Sequence, residues 1–90
     1  MNLGQFKQAT QDMAATYQLW SRFNQQALPL LMMSGYTDQI ILTPHINGRL
    51  TLADLRNIPD NNERNLLIKW ENQQQLVFGY HIQGCQLYLG

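Results

Sequence analysis

The feature that most narrows what this chain can fold into is the side-chain alternation in its last third. Leu66, Ile68 and Trp70 fall on one side of an extended backbone, with Leu67 and Lys69 on the other. Leu76, Phe78, Tyr80 and Ile82 then alternate with Val77, Gly79 and His81, and Cys85, Leu87 and Leu89 with Gln86 and Tyr88. A period of two marks a strand with one buried face. Polar breaks at Glu71-Asn72-Gln73 and Gln83-Gly84 divide the pattern, which reads as a three-stranded antiparallel meander over 64–90. One face of such a sheet is apolar and needs a second layer to cover it.

The N-terminal part offers that layer. Phe6, Ala9, Met13, Tyr17, Trp20, Phe23 and Ala27 are three or four residues apart, with mostly polar residues between them. The spacing predicts an amphipathic helix over 1–28, ended by Pro29, with Tyr17, Trp20 and Phe23 in the core. Phe6, Met13, Trp20 and Ala27 also stand seven apart, but the interleaved seam contains Thr10 and Asn24. Packing on the chain's own sheet is therefore preferred, with a helix-mediated homodimer as the alternative.

Residues 29–63 read as connecting structure. Leu30 to Met33 extend into a short turn that Ser34-Gly35 stops. The stretch DQIILTPHI at 38–46 is apolar and β-branched, and Pro44 confines it to an edge strand or an extended segment. Asn47-Gly48 signals a tight turn. Thr51 followed by Asp54 suits the start of a short helix over 52–57, a hairpin strand being the other reading. Pro59-Asp60-Asn61-Asn62 has loop chemistry. The expected fold is α+β: one domain, 1–90, with a long N-terminal helix packed on a three- to four-stranded antiparallel meander sheet.

Composition narrows function by exclusion. Six basic and six acidic residues give a formal net charge of zero, which lacks the basic clustering that phosphate backbones or anionic membranes attract. The first residues show no basic region followed by an apolar one, and the apolar run from Ala27 to Met33 falls far short of the roughly 20 residues a membrane helix needs. Twenty Asn and Gln side chains outnumber the twelve charged ones, so a partner would be read by hydrogen bonds and shape rather than by a long-range field. The single cysteine, Cys85, rules out an intrachain disulfide and fits a reducing cytoplasm.

Catalytic constellations are thin. His45, His81 and Cys85 are the only soft ligands, too few and too separated for a zinc site. Cys85 shares its strand face with Leu87 and Leu89 and reads as a buried structural thiol rather than a nucleophile. The six acids are scattered and the six glycines stand singly, so neither a carboxylate pair nor a phosphate loop is present. No catalytic, metal or cofactor-binding residue is assigned. What remains is a binding module, whose recognition surface would be the sheet face turned away from the helix. Lys69, His81, Gln86 and Tyr88 are the candidate partner-binding residues there, beside Val77 and Gly79.

Three stretches, ALPLLMMSGY at 27–36, GRLTLADLR at 48–56 and NLLIKWENQQQLVFGYHI at 65–82, resemble the SUKH superfamily of bacterial immunity and partner-binding proteins. The shared pattern is a helix leading into a Leu-Pro turn, a strand ending in Glu-Asn-Gln, and a following strand with an aromatic–Gly pair, here Phe78-Gly79. The resemblance implies a short member of the family: a non-enzymatic cytoplasmic protein that binds and neutralises a toxin encoded nearby. Glu71, Asn72 and Gln73 serve the fold on this reading, and no toxin-contacting residue is carried over. The alternative function is a structural or assembly component of a phage or mobile element, oligomerising through the long helix.

Overall fold

The computed structural model describes residues 1–23, 25–33, 39–59 and 63–90. Those residues form two short helices and a seven-stranded mixed sheet, α1 (Leu3–Ala9), β1 (Gln18–Phe23), β2 (Gln26–Met33), β3 (Gln39–Pro44), α2 (Leu52–Arg56), β4 (Asn65–Trp70), β5 (Gln73–Leu76), β6 (Tyr80–Gln83) and β7 (Gln86–Leu89). The strand order is β5-β4-β3-β2-β1-β7-β6. Pairs β3–β4 and β1–β7 are parallel, and the other neighbours antiparallel.

The long N-terminal helix and the simple meander are therefore corrected. Helix α1 stops after Ala9, where the Thr10 hydroxyl donates to the Phe6 carbonyl at 2.8 Å and Met13 N–H closes a short turn onto the Thr10 carbonyl at 3.0 Å. The Arg56 guanidinium donates to the Thr10 carbonyl and, at 2.7 Å, to that of Met13. A continuing helix would need both carbonyls for amides four residues on. Beyond this point Leu19 and Ser21 alternate with Trp20 and Arg22, the first two buried and Arg22 exposed. The reason the strand prevails lies further along. Residues 27–33 are apolar and contain Pro29, so they are poor helix and must find neighbours on both sides. The segment 18–23 reaches them through a tight turn in which Gln25 takes φ +68°, and Phe23 pairs with Gln26. Of the proposed dimer seam, Met13 thus lies in the bend after α1 and Trp20 in β1, and the helix-built oligomer loses its basis.

Two stretches of chain exchange neighbours midway. β2 pairs with β1 over Gln26 to Pro29 and with β3 over Leu30 to Met33. Pro29 stands at the junction of the two ladders, where a missing amide hydrogen costs least. β3 is internal rather than an edge strand, because Pro44 lies beyond its last pair with β4, Leu42–Ile68. The second exchange is made by residues 73–83. Val77 N–H donates to Leu66 O at 2.9 Å, extending the β4–β5 ladder, and Gly90 N–H donates to Gly79 O at 3.2 Å, extending β6–β7. The two ends of the strand order are thus one run of backbone, and the sheet curls back on itself as a barrel-like roll. Val77 and Tyr80 both turn inward, so the side-chain parity slips between them, and Phe78 is left 73% exposed.

The core runs through the roll, from Leu19, Leu30, Leu42, Leu66, Ile68 and Leu87 to Leu3 and Phe6 of α1 and Leu52 and Leu55 of α2. α1 is tied down by Leu3 N–H to Arg64 O at 2.8 Å, and by the Tyr80 hydroxyl donating to Ala9 O at 3.0 Å. α2 matches the expected short helix; Thr51 N–H donates to the Asp54 carboxylate at 2.8 Å. The turns expected around Glu71-Asn72 and Gly84 join β4 to β5 and β6 to β7, with Glu71 at φ +54° and Gly84 at φ +58°. The stop at Ser34-Gly35, the seam residue Asn24 and the loop at Asp60-Asn61-Asn62 lie outside the described residues.

Where β2 leaves β1, the segment following Pro44 crosses the gap. His45 N–H donates to Pro29 O at 3.0 Å, Leu50 N–H to Leu30 O at 3.1 Å, and Leu19 N–H to Leu50 O at 2.9 Å. Gly48 lies against this corner: a Cβ there would meet Leu30 O and Pro29 C at 2.8 Å. The turn signal at Asn47-Gly48 holds, with Gly48 N–H bonded to His45 O at 2.8 Å, but the need for glycine is one of close approach. Gly48→Ala is expected to lower unfolding free energy by about 1–3 kcal/mol through forced backbone displacement. Arg56→Met, which strips two carbonyls of a charged donor, should cost about 1.5–3 kcal/mol. Urea denaturation checks both.

Candidate functional site

The outer face of β6, β7 and β1 carries a row of side chains set by strand register. His81 lies opposite Tyr88, Tyr88 beside Trp20, and Trp20 opposite Pro29. Alternation places Arg22 on the same face, one pleat beyond Trp20. The His81 imidazole stacks on the Tyr88 ring at 5.2 Å between centroids and 9° between planes. The Arg22 guanidinium carbon lies 5.0 Å from the same ring centroid, and the Trp20 indole approaches it at 6.2 Å with a 44° tilt. Cation–π attraction and ring packing of this kind hold side chains that would otherwise sample several rotamers.

Hydrogen bonds fix the periphery. The Tyr88 hydroxyl donates to Gln86 Oε1 at 2.8 Å, Arg22 Nη2 to Gln83 Oε1 at 3.0 Å, and Trp20 Nε1 to Gln18 Oε1 at 3.3 Å. Three glutamines therefore act as local acceptors for the three larger groups. Tyr88 itself is only 6% exposed. It is the seat of the cluster, while Arg22 and His81 face solvent and Trp20 is half-buried. A recess of about 180 Å³ beside them is lined by Ser21, Arg22, Gln75, His81, Tyr88, Leu89 and Gly90.

Of the four residues picked from sequence, the structure brings His81, Gln86 and Tyr88 together and leaves Lys69 apart on β4, opposite Gln74. Val77, expected on the same face, is fully buried against the core because of the parity slip. Trp20 and Arg22 were missed, since helical spacing assigned the first to a core stripe and the second to a polar helix face. The competing alternation of Leu19 and Ser21 with Trp20 and Arg22 was the signal that places them outward. Cys85 is corrected from buried to exposed, in the turn between β6 and β7. That turn takes it out of the strand register shared by Leu87 and Leu89.

Among the described residues, no group of three or more His, Cys, Asp or Glu is placed to hold a metal ion, and no helix is long and apolar enough to cross a membrane. No family model matches the chain, and no curated protein or solved structure is significantly similar to it. The geometry of the face thus has to be read on its own chemistry. Tyr88→Phe, which removes only the bond to Gln86, should cost about 0.5–1.5 kcal/mol and preserve the ring stack. Tyr88→Ala should cost about 3–5 kcal/mol and change the near-ultraviolet circular dichroism of the indoles, as measured alongside urea unfolding.

Proposed function

We propose that this chain is a non-enzymatic protein-binding module that engages its partner through the outer face of β6, β7 and β1. The observation that carries the reading is the assembly of Trp20, Arg22 and His81 around the ring of Tyr88. Tryptophan, tyrosine and arginine are the residues most enriched among binding hot spots, because each supplies large contact area with a directed polar group. Holding them in place before contact reduces the entropy lost when a partner docks. Gln18, Gln83 and Gln86 supply a polar rim of amides rather than charges. The cluster contains a guanidinium and an imidazole but no carboxylate, which suits a partner surface that presents acidic groups among apolar ones.

On the resemblance to the SUKH superfamily, the partner would be a toxin encoded nearby and the role immunity by occlusion. An exposed, unpaired Cys85 suits the reducing cytoplasm in which such a pair would meet. The resemblance leaned partly on a helix leading into Leu28-Pro29, and these residues lie in β2. The immunity role therefore stands on the remaining stretches and on the face itself.

Co-expression of the chain with each neighbouring gene product, followed by affinity capture, is expected to yield one stable complex. Arg22→Ala and His81→Ala should each weaken that complex by about tenfold or more, with unfolding midpoints kept near that of the parent. If no neighbour is captured, or if both variants bind it as the parent does, the proposal fails.

A further inference from the structure

A second recess opens at the end of the roll where β1 and β4 finish. It has a volume of about 380 Å³ and is lined by Phe23, Ile68, Trp70, Gln73, Gln74 and Gln75. This lies within the range of small-ligand sites, roughly 300–1,000 Å³. Among the described residues, its walls are apolar side chains on one hand and amides on the other. Phe23 and Trp70 pack with centroids 4.7 Å apart and planes tilted by 58°, and both are half-buried, so each leaves part of a ring available. Beside Trp70, on the adjoining β5, stand three consecutive, exposed glutamines.

Register explains why amides stand at this mouth. Gln73 pairs with Trp70 and Gln75 with Ile68, so both occupy inward positions that elsewhere in the roll hold Leu or Val. Among the described residues, none of the three glutamine side chains, nor the Trp70 indole N–H, has a hydrogen-bond partner. Each amide brings two donors and an acceptor oxygen, and the indole one more donor. Among the described residues, the lining has no ionisable group. A carboxylate, phosphate or ammonium would find no counter-charge here and would lose hydration on entering. A purely apolar ligand would leave the amides without partners.

We propose that this mouth binds a neutral saccharide of one or two rings. The C–H face of a pyranose would lie on the exposed part of the Trp70 and Phe23 rings, and the hydroxyls at its edge would exchange hydrogen bonds with Gln73 and Gln75 on the strand beside Trp70. A sugar matches both walls at once, having an apolar face and a perimeter of groups that donate and accept. The site is distinct from the face built on Tyr88, although Gln75 lines both recesses.

The test is a titration of the full chain, labelled with nitrogen-15, with maltose, cellobiose and N,N′-diacetylchitobiose, and with glucuronate as the charged control. At least one disaccharide should give saturable shifts in the Trp70 indole and the Gln73, Gln74 and Gln75 side-chain amides, with a millimolar Kd. Trp70→Ala should weaken binding at least tenfold. Because Trp70 also packs on Phe23, the exposed pair Gln73→Ala and Gln75→Ala provides a second measure, with about threefold or greater weakening expected of each. His81→Ala should leave sugar binding unchanged, which separates this site from the protein-binding face. Lack of saturation by all three disaccharides up to about 50 mM, tighter binding of glucuronate, or binding unmoved by all three mouth variants would overturn the proposal.

Discussion

Residues 73–83 pair with β4 through their first half and with β7 through their second, and the rest of the molecule depends on that exchange. A chain of ninety residues can bury only part of its surface, and an open seven-stranded sheet of this size would leave two long edges and one apolar face uncovered. Passing one run of chain, β5 and β6, from the first end of the sheet to the last turns the sheet into a roll and encloses its own face. The second exchange, in β2 at Pro29 and Leu30, makes the opposite corner. His45 and Leu50 complete it by bonding to the backbone that the departing strand exposes, with Gly48 lying close against that corner. With the face enclosed by strands, the helices need only close the ends. Seven residues in α1 and five in α2 suffice.

The same two corners determine what the surface presents. Rolling the sheet brings β1 beside β7 in parallel, which sets Trp20 beside Tyr88, a pairing that no local hairpin would produce. Where β4 turns into β5 the inward register continues past the end of the core, so that Trp70 and Gln73 finish at an open mouth rather than under another layer. Both candidate sites are therefore consequences of topology, each joining residues roughly fifty to seventy positions apart in the chain.

Sequence patterns were most reliable where one local rule acted without competition. The β4 alternation, the turn at Glu71-Asn72 and the glycine turn at Gly84 were legible because side-chain period and turn chemistry agreed. The short helix after Thr51 was preferred to a hairpin strand because Asp54 stands where a capping box needs it. Residues 10–28 failed because two periods coexist there. Phe6, Ala9, Met13, Tyr17, Trp20 and Phe23 fit a helix, while Leu19 and Ser21 against Trp20 and Arg22 fit a strand. The choice was made by contacts with β2 and β7 that spacing does not encode. Gln25 at φ +68° hid the hairpin, since the usual glycine or asparagine at such a position was not there to announce it. The site was legible to the same extent. His81, Gln86 and Tyr88 come from the readable third of the chain, and Trp20 and Arg22 from the misread one.

Nuclear Overhauser contacts across the run 73–83 test the central claim most directly. If this run joins both ends of the sheet, the folded chain will show cross-strand contacts from Val77 to Leu66 and from Gly79 to Gly90. It will also show contacts from Trp20 to Tyr88 across the parallel pair. A continuous series of helical amide–amide contacts through residues 10–28, with no contact between β1 and β7, would contradict the roll and both surfaces built on it.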